Sequence, residues 1–512
     1  MKDETKQSLS EVKGAVFETL WLSNWGRNLI TFPTVFALLA FTLIAALFGG
    51  QAGWGAGVGI YVLFFCFGLF GCLKDAFFSK KSGDVFRRGA QIEDPGKIAR
   101  ATAGKGRYSI GGVTIPASAE AQGFCYVGSP GSGKSTAIFR NMSQDREEVK
   151  AIVFDLGGES LSRFYRGGDR IMNPLDSRAA PISIFSDLTD EMVDPARLAQ
   201  ALVSADTNDK FWSDSARTCI ADLAGALIES GKKTNRDLLG ALTTMTKAEQ
   251  VALVGGRPAA TLLGGEEKMS ASLRSIISQA GQVLRTLDGD VDQSGFSIRR
   301  WMEDDNDRSW LFFSVRNDQL PLLKGLYSYL LETAISCHLS MSSNLDRRIV
   351  YYLDEFSTLP PMPSLLQLAA LGRKFGSVMQ LGFQSMSQLR SCYGREDAQS
   401  LLSCLGTWTI LRSNDSETAE QLSRMVGQQE ILRTNISSAH GEKGSSENRS
   451  QQVTQTQILL PSQIQNFADL HGVLKIRGDF PLCAIQLRRV DFPAVTEPFI
   501  AKKKAAAFAA AD

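Results

Sequence analysis

The chain has 512 residues, which is too long for one ordinary hydrophobic core and predicts two or three domains. Its formal net charge of +1 excludes a protein that is basic overall, so any nucleic-acid surface has to be local or built by assembly. The eight cysteines form no CxxC pair, and the chain has only three histidines. This composition argues against a zinc site and against a disulfide framework.

Two apolar segments near the N-terminus predict a two-helix membrane anchor. Residues 29–48 contain no charged side chain, and their length is sufficient to cross a hydrocarbon core about 30 Å thick. Residues 54–73 form a second apolar stretch after an uncharged turn. Lysines and arginines flank the pair on its outer sides, so both ends are expected on the cytoplasmic side. The alternative interpretation is a buried helical hairpin in a soluble domain.

The segment that follows the anchor is polar and locally basic. Residues 78–107 carry eight Lys or Arg side chains against three Asp or Glu. Such a segment is typical of chains that rest near anionic lipid. A basic collar close to a nucleic-acid path is the alternative interpretation.

From residue 123 onward, short apolar β-rich runs alternate with helical stretches, which predicts a parallel sheet covered by helices on both faces. The alternation stops between about residues 185 and 300, where the periodicity is helical, so we expect an all-α domain inserted into an α/β core. Residues 433–457 are rich in Ser and Gln, which predicts a mobile loop. The runs expected to be strands are residues 123–128, 151–156, 310–315, 348–354, 377–383 and 407–412.

The stretch GSPGSGKST, residues 128–136, matches the phosphate-loop pattern GxxxxGK[ST] in full. Its glycines allow backbone N–H groups to point inward as an anion nest, and the helix that follows adds its dipole. Lys134 is expected to reach the β- and γ-phosphates, and Ser135 to hold Mg²⁺. A chance glycine turn is the alternative, and a dinucleotide site is disfavoured because GxGxxG is missing. The residues predicted to contact the nucleotide are Gly128, Ser129, Pro130, Gly131, Ser132, Gly133, Lys134, Ser135 and Thr136.

Two adjacent carboxylates, Asp354 and Glu355, end the apolar run YYLDEF. In phosphate-loop ATPases an acid at such a strand end holds Mg²⁺, and a second acid can polarise the attacking water. We therefore predict Asp354 as the metal-side residue and Glu355 as the general base. The alternative is a strand-end pair that caps the following helix.

Two further positions are candidates for the same reaction. Gln384 ends the apolar run LGFQ, where a neutral amide can contact the γ-phosphate; simple polar decoration of a strand end is the alternative. Arg373 and Lys374, in LGRKFG, could act across a subunit boundary on the charge of the transition state. Ordinary surface basic residues would have the same sequence pattern.

With these residues in place, the chain closely resembles the type IV coupling proteins of bacterial conjugation, the TrwB/TraD family. The resemblance rests on YVGSPGSGKST, IVFDLGGES, FWSDSARTCIADL, YYLDEFSTLP, GRKFG and LGFQSMSQL, in that order along the chain. It implies nucleotide-site roles for Lys134, Ser135, Asp354, Glu355 and Gln384, and a trans contact for Arg373. One departure is Leu156, which stands where many relatives have a lysine, so Asp155 and Glu159 receive a supporting role at most.

The resemblance implies a RecA-like phosphate-loop nucleotide-binding domain with an inserted all-α domain, assembled as a homo-hexameric ring at the bacterial inner membrane. It implies a DNA-dependent ATPase that uses ATP and Mg²⁺ and links the relaxase and relaxosome to the type IV secretion channel. DNA binding would be sequence-tolerant, through phosphates. The predicted parts are an anchor (1–76), the nucleotide-binding domain (77–184 and 301–500), the all-α domain (185–300) and a tail (501–512).

Three alternative functions remain open on the sequence. An FtsK-like translocase of double-stranded DNA shares the motor core but typically has more membrane spans and a C-terminal winged helix. An ATPase that energises protein export is a second. A nucleotide-gated docking scaffold with little turnover is a third, because intact motifs establish the capacity for hydrolysis rather than its rate.

Overall fold

A computed structural model of the chain describes residues 85–189, 192–204, 209–441 and 444–502. The predicted spans at 29–48 and 54–73 lie outside these ranges, as does most of the predicted tail. Within the described ranges, no helix combines the length and the apolar character needed to cross a membrane. The chain divides into two compact units, whose described residues are 88–429 with 455–502, and 85–87 with 430–454.

The strands of the described residues form three sheets, of ten, three and two strands. In the large sheet the strands lie in the order β2-β15-β14-β11-β5-β10-β9-β6-β8-β7. In chain order the strands are β1 (Val85–Gly89), β2 (Ile92–Glu93), β3 (Ser109–Ile110), β4 (Val113–Thr114), β5 (Phe124–Val127), β6 (Lys150–Leu156), β7 (Arg170–Ile171), β8 (Trp310–Val315), β9 (Ile349–Leu353), β10 (Ser377–Phe383), β11 (Thr407–Leu411), β12 (Gln428–Gly441), β13 (Gly444–Gln457), β14 (His471–Lys475) and β15 (Leu482–Gln486).

The mixed α/β fold is confirmed, and the six apolar runs form the centre of the large sheet. Strands β11, β5, β10, β9, β6 and β8 pair in parallel. Alternate residues along them face opposite sides: Tyr352 belongs to one buried apolar cluster, and Tyr351 and Leu353 belong to the other. Both faces are covered, which is why these strands read as continuous apolar runs rather than as an alternating pattern.

Helices cover both faces of the large sheet. Those that carry the argument below are α3 (Lys134–Asp145), which follows β5, and α12 (Leu320–Ser340), which precedes β9. The other helices are α1 (Pro95–Thr102), α2 (Ala117–Glu120), α4 (Glu159–Phe164), α5 (Val193–Leu202), α6 (Lys210–Glu229), α7 (Asn235–Thr243), α8 (Lys247–Val254), α9 (Pro258–Gly264), α10 (Glu267–Gly281), α11 (Ile298–Glu303), α13 (Pro363–Leu371), α14 (Met386–Tyr393), α15 (Arg395–Cys404), α16 (Ser416–Val426) and α17 (Pro461–Gln465), with short 3₁₀ turns at Ile184–Ser186, Gln282–Thr286, Phe356–Thr358 and Gly372–Phe375.

The region predicted as an all-α insertion contains helices α5 to α11. Two of its helices, α7 and α8, begin with a capping box, in which Thr234 and Thr246 exchange hydrogen bonds with an acid three residues later. The described residues between 185 and 295 form helices and turns without a strand. The exact domain boundaries stay a prediction.

The prediction of a mobile loop at 433–457 is wrong. The described residues of this range, 433–441 and 444–457, belong to the long strands β12 and β13, which form a three-stranded sheet with β1. The composition misled because Ser, Thr and Gln satisfy a loop pattern, whereas strand pairing uses backbone groups and needs no apolar side chains. The β-branched residues Ile431 and Val453, spaced among polar residues, were the signal available in the sequence.

Candidate active site

The phosphate-loop residues form the turn between strand β5 and helix α3. Gly131 and Gly133 have φ values of 77° and 116°, a region that residues with a side chain rarely adopt. At Gly133 a side chain would also collide with its surroundings, because a Cβ atom there would lie 2.8 Å from Leu470 Cδ2. The backbone is fixed from outside as well, since Ser129 N donates to the carbonyl of Arg412 at 2.7 Å.

Lys134 and Ser135, the first two residues of helix α3, lie at the mouth of this turn. The Lys134 ammonium is buried and donates to the carbonyl of Gly128 at 2.7 Å, so it points back into the loop. The Ser135 hydroxyl donates to Asp354 Oδ2 at 2.9 Å. The sheet explains this contact, because β5 and β9 are parallel, only β10 separates them, and their carboxyl ends share one edge.

Asp354 has one carboxylate oxygen in use and one open. Its Oδ2 accepts from Ser135, whereas its Oδ1 is buried and has no hydrogen-bond partner among the described residues. Burial raises the pKa of this carboxyl, and the nearby Lys134 ammonium acts in the opposite direction. Strand β10 leaves room for the open oxygen at Gly382, where a Cβ atom would lie 2.4 Å from Oδ1. A buried carboxylate oxygen that accepts no hydrogen bond, next to a hydroxyl, is a suitable ligand for a hard cation.

The described residues contain no group of three or more His, Cys, Asp or Glu side chains that could hold a metal ion by themselves. Magnesium usually takes one or two protein ligands and completes its shell with water and phosphate oxygens. The metal ligands available, the Ser135 hydroxyl and the Asp354 carboxylate, therefore fit magnesium accompanied by a nucleotide better than a metal held by protein alone.

Glu355 adopts a left-handed backbone conformation, with φ 61°, which is uncommon for a residue that has a side chain. Its N–H donates to the carbonyl of Gly382 at 3.0 Å, which ties the turn to strand β10. Its carboxylate Oε2 accepts from Gln384 Nε2 at 2.7 Å. Burial raises the pKa of Glu355, while the Gln384 amide and the Lys134 ammonium oppose that rise. The amide therefore orients the carboxylate at the same sheet edge as the phosphate loop.

The structure brings most of the predicted residues together but separates one of them. Lys134, Ser135, Asp354, Glu355 and Gln384 meet at the carboxyl edge of the sheet. Arg373 lies on the exposed 3₁₀ turn that precedes strand β10, whereas Gln384 follows the last residue of that strand. A seven-residue strand is about 20 Å long, so Arg373 does not reach the site of its own copy.

Several residues that support the phosphate loop were not predicted. Leu470 N donates to the carbonyl of Ser132 at 3.0 Å, and Arg412 forms an ion pair with Asp469 at 2.8 Å. Asn414 N donates to the Ser129 hydroxyl at 2.9 Å. These contacts come from segments that are distant in the sequence and combine backbone and side-chain groups, so no motif in the sequence marks them.

Comparison with known proteins identifies the family. The model of the family described as "Type IV secretion-system coupling protein DNA-binding domain" matches residues 107–488. The chain belongs to the type IV coupling protein family. The matched range of the coupling protein includes the phosphate loop, the acidic pair and the Leu470 segment that covers the loop.

Individual coupling proteins show the same relationship. The coupling protein TraD of Escherichia coli strain K12 is 30% identical over 429 residues, which cover 80% of this chain and 59% of TraD. The chain thus spans somewhat more than half the length of that relative. The solved structure of the conjugative coupling protein TrwB without its N-terminal 70 residues matches with a TM-score of 0.73 at 27% identity, covering 81% of this chain and 96% of the other. TrwB in complex with ADP and Mg²⁺ matches with a TM-score of 0.72 at 26% identity, covering 82% and 98%.

Proposed function

We propose that this protein is a DNA-dependent ATPase that recruits the relaxosome and moves single-stranded plasmid DNA into a type IV secretion channel during conjugation. The observation that carries the proposal is the 2.9 Å hydrogen bond between Ser135 and Asp354, because it joins the phosphate loop to the acidic pair. Membership of the coupling protein family supports the role in DNA transfer.

ATP is the substrate that fits the loop between strand β5 and helix α3. Backbone N–H groups of Gly131 and residues 133–136 would bind the phosphates, and the Lys134 ammonium would exchange the Gly128 carbonyl for phosphate oxygens. Ser135 and Asp354 would hold Mg²⁺, which would offset negative charge on the phosphates. The open Oδ1 of Asp354 and the nucleotide complexes of TrwB support this assignment.

Glu355 is the general base of the proposed reaction. Its raised pKa makes it a better proton acceptor than an exposed glutamate. It takes a proton from the attacking water as the water oxygen bonds to the γ-phosphorus, while the bond from that phosphorus to the β–γ bridging oxygen breaks and ADP leaves with the electron pair. Gln384 holds the carboxylate in place through its 2.7 Å hydrogen bond and lies where it can respond to loss of the γ-phosphate.

Arg373 is proposed to act on the neighbouring copy in a ring of six. Its side chain is exposed, and no ion-pair partner for it lies among the described residues. Its place at the amino edge of the sheet, about 20 Å from the carboxyl edge, suits a group that serves the next subunit. An arginine at the transition state stabilises charge on the transferred phosphoryl group.

The remaining partners follow from the family and from the N-terminal sequence. Residues 1–76 are proposed to anchor the protein in the bacterial inner membrane with the body on the cytoplasmic side. Contacts to DNA would be to phosphates, with ring assembly concentrating basic side chains, so binding weakens as salt rises. Plasmid specificity would come from the relaxase and other relaxosome proteins.

The test is ATP hydrolysis by the full-length protein in lipid nanodiscs, with and without single-stranded or double-stranded DNA. We expect DNA to stimulate hydrolysis, and Lys134→Ala to abolish both hydrolysis and plasmid transfer. The matched control is Lys268→Ala on the exposed face of helix α10, which should behave as wild type. Normal transfer by Lys134→Ala without hydrolysis would overturn the motor and favour a docking scaffold. Stimulation by double-stranded DNA alone would favour an FtsK-like translocase.

A further inference from the structure

Residue His338 was not singled out by the sequence, and the proposed reaction does not use it directly. It lies near the end of helix α12, is fully buried, and contacts both strand β9, which precedes Asp354, and the turn that carries Arg373. We infer that His338 is a positioning residue for Arg373, fastening the turn Gly372–Phe375 to strand β9. The inference rests on the proposed function, because it assumes that Arg373 acts in a neighbouring copy.

The two hydrogen bonds of the ring fix its tautomer. His338 Nε2 lies 3.0 Å from the Phe375 carbonyl oxygen, and a carbonyl can only accept, so Nε2 carries the hydrogen. His338 Nδ1 lies 3.0 Å from the Tyr351 hydroxyl and therefore accepts from it in the neutral ring. Burial lowers the pKa of His338 to about 4, so the ring is neutral at the pH of the cell. The Tyr351 hydroxyl thus donates to His338 Nδ1, and His338 Nε2 donates to the Phe375 carbonyl.

The turn around Arg373 is held at successive carbonyls. The carbonyl of Arg373 accepts from Gly376 N at 3.2 Å, that of Lys374 from Asn344 N at 3.0 Å, and that of Gly376 from Ile349 N at 3.0 Å. These three donors are backbone groups, and the Lys374 carbonyl also accepts from the Ser343 hydroxyl at 2.9 Å. Among the described residues, the remaining carbonyl of the series, that of Phe375, accepts from a side chain alone. His338 is therefore one of two side chains, with Ser343, whose hydrogen bonds to this turn a single substitution can remove, and it is the buried one.

The arrangement places Arg373 relative to the catalytic strand of its own copy. Tyr351 stands three positions before Asp354 on strand β9, and the Tyr351 and His338 rings stack with centroids 5.8 Å apart. The exposed guanidinium has a flexible stem, but its Cα position is set by this buried chain of contacts. A displacement of about 1 Å at a catalytic group can cost about 100-fold in rate, so a loosened turn should lower the contribution of Arg373.

The experiment compares His338→Phe, which keeps a ring and removes both hydrogen bonds, in two backgrounds. In the full-length protein with Arg373 present, kcat for DNA-stimulated hydrolysis should fall by about 10- to 100-fold while the Kd for ATP changes less than about 2-fold. In the Arg373→Ala background, His338→Phe should cause no further fall in kcat. His338→Gln, which retains an N–H donor toward Phe375, should recover part of the rate.

Mixed rings provide a readout that a merely structural role would not move. Lys134→Ala copies have a disabled phosphate loop but a correctly held Arg373, whereas His338→Phe copies have the reverse. Mixing the two should restore hydrolysis above that of either variant alone, because one supplies the arginine and the other supplies the loop.

Several results would overturn the inference. Equal loss of kcat in both backgrounds, weakened ATP binding, or absence of rescue in mixed rings would mean that His338 only stabilises the fold. If His338→Phe does not fold, the same test is made with Tyr351→Phe in the two backgrounds. That substitution removes the hydroxyl that donates a hydrogen bond to His338 Nδ1. If Arg373→Ala itself retains full kcat, the proposed trans role fails; if that variant is inactive but His338→Phe is not, the inference about His338 alone fails.

Discussion

Strands β9 and β10 have polar groups at both ends, but the two ends differ in what those groups do. At the carboxyl ends, side chains converge with unused hydrogen-bonding capacity, as shown by the open Oδ1 of Asp354. At the amino ends, the carbonyls of residues 373–376 all accept hydrogen bonds, and the Arg373 and Lys374 side chains are exposed.

The two edges therefore differ in role: the carboxyl edge has the features of a binding site, whereas the amino edge positions an exposed side chain. A buried polar atom without a hydrogen-bond partner, such as Asp354 Oδ1 at the carboxyl edge, is destabilising unless a ligand contacts it. Such atoms are typical of a site that binds phosphate and metal. The hydrogen-bonded carbonyls at the amino edge fix the backbone of the turn that carries Arg373.

The largest expected effect comes from removing the base at the carboxyl edge. Glu355→Gln keeps the side-chain shape but cannot accept a proton from water, so kcat should fall by about 10²- to 10⁴-fold while ATP still binds. Single-turnover hydrolysis and ATP binding, measured on the same preparation, check this. Glu396→Gln, on the exposed side of helix α15, is the control. Undiminished turnover in Glu355→Gln would place the base elsewhere.

A smaller effect is expected from filling the space beside the open oxygen. Gly382→Ala would put a Cβ atom 2.4 Å from Asp354 Oδ1, which forces the carboxylate or the strand to move. Binding of magnesium nucleotide should weaken about 10-fold, equivalent to about 1.4 kcal/mol. Titration with a fluorescent ATP analogue in the presence of Mg²⁺ measures this. Gly256→Ala, where a Cβ atom meets nothing within 4 Å, should bind as wild type; equal loss in both would remove the special role of Gly382.

The amino edge should show itself in the pH dependence of stability. His338 has a pKa of about 4 in the folded protein and about 6.5 when unfolded, so the unfolded chain takes up the proton first as pH falls. Between pH 7.5 and 5.5 this group alone should remove about 1.4 kcal/mol of stability. Thermal unfolding of wild type and His338→Gln at both pH values gives the difference. An identical pH response in the two proteins would contradict the buried neutral ring.

Much of the carboxyl edge was predictable because its signals are local. The loop at 128–136 and the acids after β9 are contiguous patterns, and parallel strands bring their carboxyl ends together whatever the loops between them do. The hydrogen bond from Gln384 to Glu355 was not foreseen, although both residues were chosen, because a strand-end position does not define which partner a side chain faces.

The amino edge was far less predictable. Arg373 was predicted as a trans contact, with an ordinary surface basic residue as the alternative, because its sequence pattern fits both. His338 carries no motif, since its proposed role depends on the backbone carbonyl of Phe375. The hairpin of β12 and β13 was missed for a related reason: backbone pairing leaves a weak trace in composition. Contacts that use main-chain groups from distant segments leave little record in the order of side chains.

The segment at Leu470 has a consequence for synthesis of the protein. The phosphate loop is synthesised before Leu470, which packs against Gly133 and donates to the Ser132 carbonyl. An unfinished chain can therefore contain every motif residue and still lack a contact that supports the phosphate loop. We expect polypeptides that stop short of this residue to grip nucleotide poorly. Nucleotide would then stabilise complete chains selectively, because it binds them more tightly.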